Sequence, residues 1–125
     1  MSNPLADKIS DSELEVMKVL WQAGEALRVN QIRETLRQSR GWEATTVKTL
    51  IGRLTAKGVI CQEKRGVFYY SPLVSEEEYN SRATENLIRK LYHGQAKDLV
   101  AALVASDELT AEDIEELRAL FRVEE

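Results

Sequence analysis

The stretch from Glu43 to Tyr70 limits the possible folds of this chain more than any other segment. At 100° per residue, one side of a helix starting at Glu43 collects four apolar residues, Val47, Leu50, Ile51 and Leu54. The opposite side carries hydroxyls, a glycine and two cations, with no carboxylate after Glu43: Thr45, Thr46, Lys48, Thr49, Gly52, Arg53 and Ala56. Such a face is typical of a helix that contacts bases and phosphates in a DNA groove, although an ordinary solvated helix is the alternative.

The residues before this helix predict a partner for it. A second helix is expected over about residues 30–39, where Ile32 and Leu36 point inward and Arg40, just beyond, faces out. A tight turn then leads into the helix described above. Two helices in this arrangement, the second with a DNA-like face, predict a helix-turn-helix.

A β-hairpin is expected directly after the helix-turn-helix. Residues 59–64 and 67–71 are rich in β-branched and aromatic side chains, and Arg65 and Gly66 separate them. Lys64 and Arg65 would lie at the tip of this hairpin, which is then a wing whose cations contact phosphates. An ordinary hairpin with solubilising charges is the alternative. The residues predicted to bind DNA are Arg40, Thr45, Thr46, Lys48, Thr49, Arg53, Lys64 and Arg65.

Capping-box patterns mark the start of three further helices, at Ser10 with Glu13, Ser75 with Glu78, and Thr110 with Asp113. They predict helices over about 11–23, 76–93 and 111–122, and a short apolar helix is expected over 95–105. The helices after the wing hold more apolar surface than they can bury among themselves. We therefore expect a C2 homodimer with a shared core, built from Leu87, Leu91, Leu99, Val100, Leu103, Val104, Leu117, Leu120 and Phe121. Packing against the N-terminal part is the alternative.

The predicted fold is therefore mainly α with a small β-hairpin. A winged helix-turn-helix DNA-binding domain is expected over residues 1–72, and a helical dimerisation domain over 73–125.

Charge is distributed unevenly along the chain. Its net charge is −4, yet residues 28–66 hold nine Lys and Arg against three Glu, while both flanks are acidic. A basic segment between acidic flanks indicates a local site for a polyanion.

Other functions find little support in the sequence. One cysteine, Cys61, excludes a disulfide framework and a four-cysteine metal site, so neither a metal nor a cofactor is expected. Cys61 and the single histidine, His93, are interpreted as structural residues, with redox sensing by Cys61 as a minor alternative. No catalytic motif is present, so we do not expect an enzyme. The longest apolar run, residues 99–105, is far too short to span a membrane. The single cysteine fits a reducing cytoplasm, where we expect the protein.

These residues together resemble the BlaI/MecI penicillinase-repressor family of winged-helix transcriptional repressors, which is related to the CopY type. The resemblance covers nearly the whole chain. It rests on Ile9-Ser10 through Leu20-Trp21, on Trp42 followed by Thr46 to Leu50 and Arg53-Leu54, on Gly66 to Tyr70 with Val74 to Tyr79, and on Leu109 with Glu112 to Leu117.

The resemblance implies a homodimer that binds an inverted-repeat operator of double-stranded DNA and represses genes of the β-lactamase or antibiotic-response type. In one branch of the family, a membrane sensor protease triggers cleavage at an Asn-Phe pair, and this sequence has Ala102-Leu103 there. The CopY branch uses a C-terminal cysteine cluster, which this sequence lacks. Two alternatives remain at this point: a regulator of the same fold that answers a different signal, and a winged-helix module that binds proteins.

Overall fold

The computed structural model describes residues 2–122. A short 3₁₀ helix, Pro4–Lys8, precedes six α-helices and three strands in the described part of the chain. In chain order these are α1 (Asp11–Ala23), β1 (Leu27–Arg28), α2 (Val29–Arg40), α3 (Ala44–Ala56), β2 (Ile60–Arg65), β3 (Val67–Pro72), α4 (Glu76–Leu91), α5 (Ala96–Ala105) and α6 (Ala111–Leu120). Their order is that of the predicted winged helix-turn-helix followed by a helical segment.

The capping signals read from the sequence form as predicted. The Ser10 hydroxyl accepts from the Glu13 backbone N–H at 3.2 Å, and the Glu13 carboxylate accepts from the Ser10 N–H at 3.0 Å. The same reciprocal pair joins Thr110 and Asp113 at the start of α6. Each pair satisfies N–H groups that have no partner within the helix, which fixes where the helix begins.

The strands form a three-stranded antiparallel sheet with the order β1-β3-β2. In the predicted hairpin, Arg65 lies opposite Val67, and Gly66 makes the turn with φ +78°. The hairpin prediction is incomplete, because Leu27 and Arg28 add a third strand by pairing with Tyr70 and Tyr69. This short edge strand forms because β3 would otherwise expose unpaired backbone groups along one side.

One hydrophobic core holds α1, α2, α3 and the sheet together. Its fully buried side chains include Val16, Met17, Leu20, Ile32, Leu36, Val47, Leu54, Val59, Ile60 and Val74. The inward positions predicted for α2 and α3 are all buried. In α1, Val16 is fully buried, whereas Leu14 and Trp21 are only partly buried against the core.

The chain divides into two compact units, residues 1–84 and 85–125, with the boundary inside α4. Unit 1 extends beyond residue 72 because the start of α4 packs on α1. The Trp21 indole N–H donates to the Val74 carbonyl at 2.8 Å, and its ring lies 5.7 Å from that of Tyr79. Arg82 also forms an ion pair with Asp7 at 2.8 Å.

Unit 2 contains the end of α4 together with α5 and α6, and no residue in its described part is buried. No helix in the described part of the chain is long and apolar enough to cross a membrane.

Candidate nucleic-acid interface

Helix α3 separates its residues into a core side and a solvent side. The apolar side is buried in unit 1, which leaves every polar side chain predicted to contact DNA from this helix exposed: Thr45, Thr46, Lys48, Thr49 and Arg53. The Thr49 hydroxyl donates to the Thr45 carbonyl at 2.9 Å, so its lone pairs stay open to an outside donor. The exposed face is therefore rich in hydrogen-bonding groups and bears two cations.

A shallow depression of about 490 Å³ lies between this face and the start of α1. Its lining brings together four of the predicted residues, Thr45, Thr46, Thr49 and Arg53, with four others, Ser10, Ser12, Trp42 and Leu50. Hydroxyls and one guanidinium converge there on a concave surface, a combination that suits base edges and phosphate oxygens.

Lys48 points to a different place. It lines a second cleft of about 440 Å³ between α3 and the sheet, together with Val29, Ile51, Gly52, Thr55, Ala56, Gln62 and Tyr70. Four of the predicted residues of α3 thus line the depression near α1, whereas Lys48 alone lines the cleft near the sheet.

The cations of the basic segment differ in whether a carboxylate already neutralises them. Arg37 pairs with Glu34 at 2.7 Å, and Arg65 pairs with Glu63, whose contact raises the pKa of that guanidinium. Lys48 and Arg53 form no ion pair within residues 2–122. These two carry the charge on the α3 face that remains available to phosphates or guanine.

Arg40, also predicted to bind DNA, is engaged inside unit 1. Its Nη2 and Nε donate to Glu15 Oε1 of α1 at 2.7 and 3.1 Å, and this hydrogen bonding holds the pKa of Glu15 below its ordinary value. Contact between Arg40 and DNA would require this pair to open or to be shared, so its role at the interface stays a prediction.

An ion pair between the partly exposed Lys57 and the buried Glu13 carboxylate anchors the far end of α3. Lys57 Nζ lies 2.6 and 2.8 Å from the two oxygens of Glu13, whose side chain is 2% exposed, and 2.9 Å from the Lys8 carbonyl. Burial opposes ionisation of Glu13, but Lys57 and the Ser10 N–H outweigh it and lower the pKa of the carboxyl. This contact ties the end of α3 to the start of α1, which fixes how the exposed face is presented.

The wing carries its cations over aromatic rings. Lys64 Nζ lies 5.8 Å from the centre of the Phe68 ring, its partner across the hairpin, and Arg65 lies 5.2 Å from the Tyr69 ring. Stacking of this kind holds a long cationic side chain extended and leaves its charge exposed. Both predicted wing residues are exposed.

Several residues of this surface were not predicted from the sequence. Ser12 and Trp42 line the depression, and Phe68 and Tyr69 support the wing cations. The hairpin register could have identified Phe68, since a turn at Gly66 places it opposite Lys64. The position of Ser12 beside α3 depends on how α1 packs and has no local signal.

The residues predicted for dimerisation lie in unit 2. Leu99 and Leu117 are half-buried, whereas the others are exposed: Leu87, Leu91, Val100, Leu103, Val104, Leu120 and Phe121. Ala102 and Leu103, the predicted cleavage region, lie inside α5. In the described part of the chain, no group of three or more His, Cys, Asp or Glu could hold a metal ion, and Cys61 is a half-buried free thiol.

Known proteins resemble this chain over most of its length. A sequence model of the family described as penicillinase repressor matches residues 9–122. The methicillin resistance regulatory protein MecI of Mammaliicoccus sciuri is 38% identical over 115 residues, which cover 91% of this chain and 93% of that protein. The penicillinase repressor of Bacillus licheniformis is 33% identical over 111 residues, which cover 88% of this chain and 86% of that protein.

Two solved structures resemble this one. The solution structure of the DNA-binding domain of the repressor BlaI aligns with a TM-score of 0.54 at 36% identity, and covers 63% of this chain and 94% of that chain. The solution structure of the monomeric form of Bacillus licheniformis BlaI in complex with the blaP half-operator aligns with a TM-score of 0.51 at 39% identity, and covers 57% of this chain and 87% of that chain. These similarities confirm the predicted winged-helix fold.

Proposed function

The chain belongs to the penicillinase repressor family, whose members are DNA-binding transcriptional repressors and not enzymes, and from this premise we propose that two copies bind an inverted-repeat operator and repress antibiotic-response genes. Each copy inserts α3 into a major groove and lays its wing along the adjacent backbone. Repression follows because the bound dimer occludes the promoter.

The exposed face of α3 is the observation that carries this proposal. Lys48 and Arg53 are free of carboxylates in the described residues, and Thr45, Thr46 and Thr49 lie on the same exposed face of α3. The wing adds two exposed cations, Lys64 and Arg65, of which Arg65 is paired with Glu63. A protein-binding face would more often be apolar, and the large apolar side chains of α3 are buried. The similar BlaI chain that was solved with a half-operator supports the same assignment.

The dimer is proposed from the apolar surface of unit 2. Val100, Leu103 and Val104 of α5 are 40–57% exposed, and Leu120 and Phe121 are 79% and 65% exposed. A second copy would cover these side chains, and each apolar area of this kind contributes about 25 cal/mol per Å² removed from water. Joining two DNA-binding units also makes the second half-site contact intramolecular, which raises apparent affinity.

We place the protein in the cytoplasm, where its operator is, and propose that its inducer acts on unit 2. A membrane sensor protease could act there directly or indirectly, with Ala102-Leu103 as the cleavage region. Cleavage needs α5 to open locally, because Ala102 and Leu103 are helical and proteases bind extended chains. The Ala-Leu pair replaces the Asn-Phe pair of the cleaved relatives, which favours a different protease or a different signal.

The proposal is tested by sequencing the DNA fragments that the full chain selects from a random pool. We expect an inverted repeat whose half-sites are separated by about one helical turn, or 10 base pairs. Selection of a single unrepeated site would contradict the dimer but keep DNA binding, and selection of no sequence at all would contradict the repressor function.

Substitution of Arg53 tests whether this side chain contacts a base or a phosphate. Arg53→Ala is expected to weaken binding to the selected operator by about 1–3 kcal/mol if the guanidinium makes a bidentate contact with guanine. Titration against operator and scrambled duplexes separates the contacts, since loss of a phosphate contact weakens both. Unchanged affinity for both duplexes would remove Arg53 from the interface. Arg89→Ala on α4, which lies outside the basic segment, is the matched control and should leave both affinities unchanged.

A further inference from the structure

Gly52 differs from the other glycines of the chain. All six glycines lie in the described residues, and five of them have φ between +68° and +79°, a backbone region that side chains disfavour. Gly52 lies in the interior of α3 with ordinary helical backbone. Its backbone conformation therefore does not require a glycine.

Packing does not require a glycine at this position either. A Cβ built on Gly52 would meet no atom within 4 Å outside its own helix, so an alanine would fit without displacing a neighbour. Glycine is the least favourable residue in a helix interior after proline, because it loses the most backbone entropy on folding. The fold would thus be more stable with alanine here, and the open space points outward.

The space in front of Gly52 is the cleft between α3 and the wing. Its floor is apolar, with Val29, Ile51 and Tyr70, and Thr55 and Gln62 supply polar groups at the edge. Among the described residues that line the cleft, Lys48 is the only charged one. A cleft with one exposed ammonium and no carboxylate is complementary to an anionic chain with an apolar side.

We propose that Gly52 provides room for the sugar–phosphate backbone of one DNA strand, which crosses this cleft between the groove occupied by α3 and the wing. A phosphate lies at Lys48, and a deoxyribose packs against the helix backbone at Gly52, where a side chain would hold it away. The inference rests on the proposed function. It adds Gly52 to the interface as a residue that aids DNA binding because it has no side chain.

The test is Gly52→Ala in the full chain. The substitution should raise the melting temperature by about 4 °C through helix propensity. It should also weaken binding about tenfold, for operator and scrambled duplexes alike, since overpacking of one methyl displaces the strand. Gly52→Leu should weaken binding further. The salt dependence of Gly52→Ala should match that of the wild type, whereas Lys48→Ala should reduce the slope by about one.

Thr84→Ala on the exposed surface of α4 is the matched control, because it also improves helix propensity but lies outside the cleft. It should leave DNA affinity unchanged. Wild-type affinity in Gly52→Ala would overturn the inference, and a loss confined to the operator would replace the backbone contact with a base contact. If the wild type itself binds neither duplex, the proposed function fails, whatever the variants do.

Discussion

Units 1 and 2 both contain amphipathic helices, yet only unit 1 buries their apolar sides. In α3 of unit 1, Val47, Leu50, Ile51 and Leu54 are at most 5% exposed. In α5 of unit 2, Val100, Leu103 and Val104 are at least 40% exposed. The two units differ because of their size. Unit 1 has three helices and a sheet that surround one core, whereas unit 2, with about 40 residues, cannot enclose its own apolar surface. An apolar stripe indicates that a helix needs a partner but does not identify the partner.

The largest expected effect comes from placing a charge in the apolar surface of unit 2. Leu103→Asp should leave unit 1 folded, but should prevent association, because burying an unpaired carboxylate costs several kcal/mol. We expect a monomer in sedimentation and loss of tight operator binding. Ala101→Asp places the same charge on the opposite side of α5 and is the control. A Leu103→Asp variant that sediments as a dimer would show that this side chain does not face a second copy.

The next largest effect is the loss of stability when a core side chain is truncated, which should differ between the two units. Leu20 is 1% exposed in unit 1, so Leu20→Ala should lower the free energy of unfolding by about 2–5 kcal/mol. In the Leu103→Asp variant, the further change Leu120→Ala should alter the free energy of unfolding by less than about 0.5 kcal/mol, since Leu120 is 79% exposed. Urea denaturation measures both changes. Equal losses would mean that unit 2 contributes to the same core.

Loss of the Glu13–Lys57 ion pair should have a smaller effect on stability, with a defined pH dependence. Lys57→Met leaves the Glu13 carboxylate buried without its partner, which should cost about 2–3 kcal/mol near neutral pH. The folded pKa of Glu13 lies below its ordinary 4.5, so this stabilisation is complete above pH 4.5 and is lost as the pH falls through the folded pKa. The difference between wild type and variant should therefore narrow below pH 4.5.

Lys18→Met is the control for that experiment. Lys18 is 54% exposed and pairs with Glu15 at 3.4 Å, so its loss should cost less than about 0.5 kcal/mol. Similar costs for the two variants would mean that the Glu13–Lys57 pair does not hold α3 to α1.

The smallest expected effect is on DNA affinity when exposed cations are removed from unit 1 or from unit 2. Replacement of both Lys64 and Arg65 with Ala should lower affinity for all duplexes and reduce the salt slope by about one to two. Replacement of both Arg89 and Lys90, which are exposed in unit 2, should leave the slope unchanged. A reduced slope in the second variant would show that unit 2 also neutralises phosphates.

The sequence was sufficient to predict a structural feature wherever the contacts that determine that feature lie between residues close together in the chain. The two faces of α3 follow from helical periodicity, and the wing follows from Gly66 between two β-rich runs. The starts of α1, α4 and α6 follow from capping boxes four residues long. For these reasons the order of the helices, the two strands of the wing and the exposed residues of α3 were predicted correctly, although α4 and α6 end two residues before the predicted ends.

Only the tertiary structure could decide contacts between residues far apart in the chain. β1 exists because Leu27 and Arg28 lie beside β3, and Lys57 is anchored because packing carries it to Glu13. Packing also brings Arg40 to Glu15, so that Arg40 is ion-paired while Lys48 and Arg53 of α3 are not. In the sequence these three cations could not be distinguished. Local patterns fix which groups a helix exposes, because they depend on neighbours a few residues away. Whether an exposed charge stays available depends on which carboxylate the folded chain brings to it.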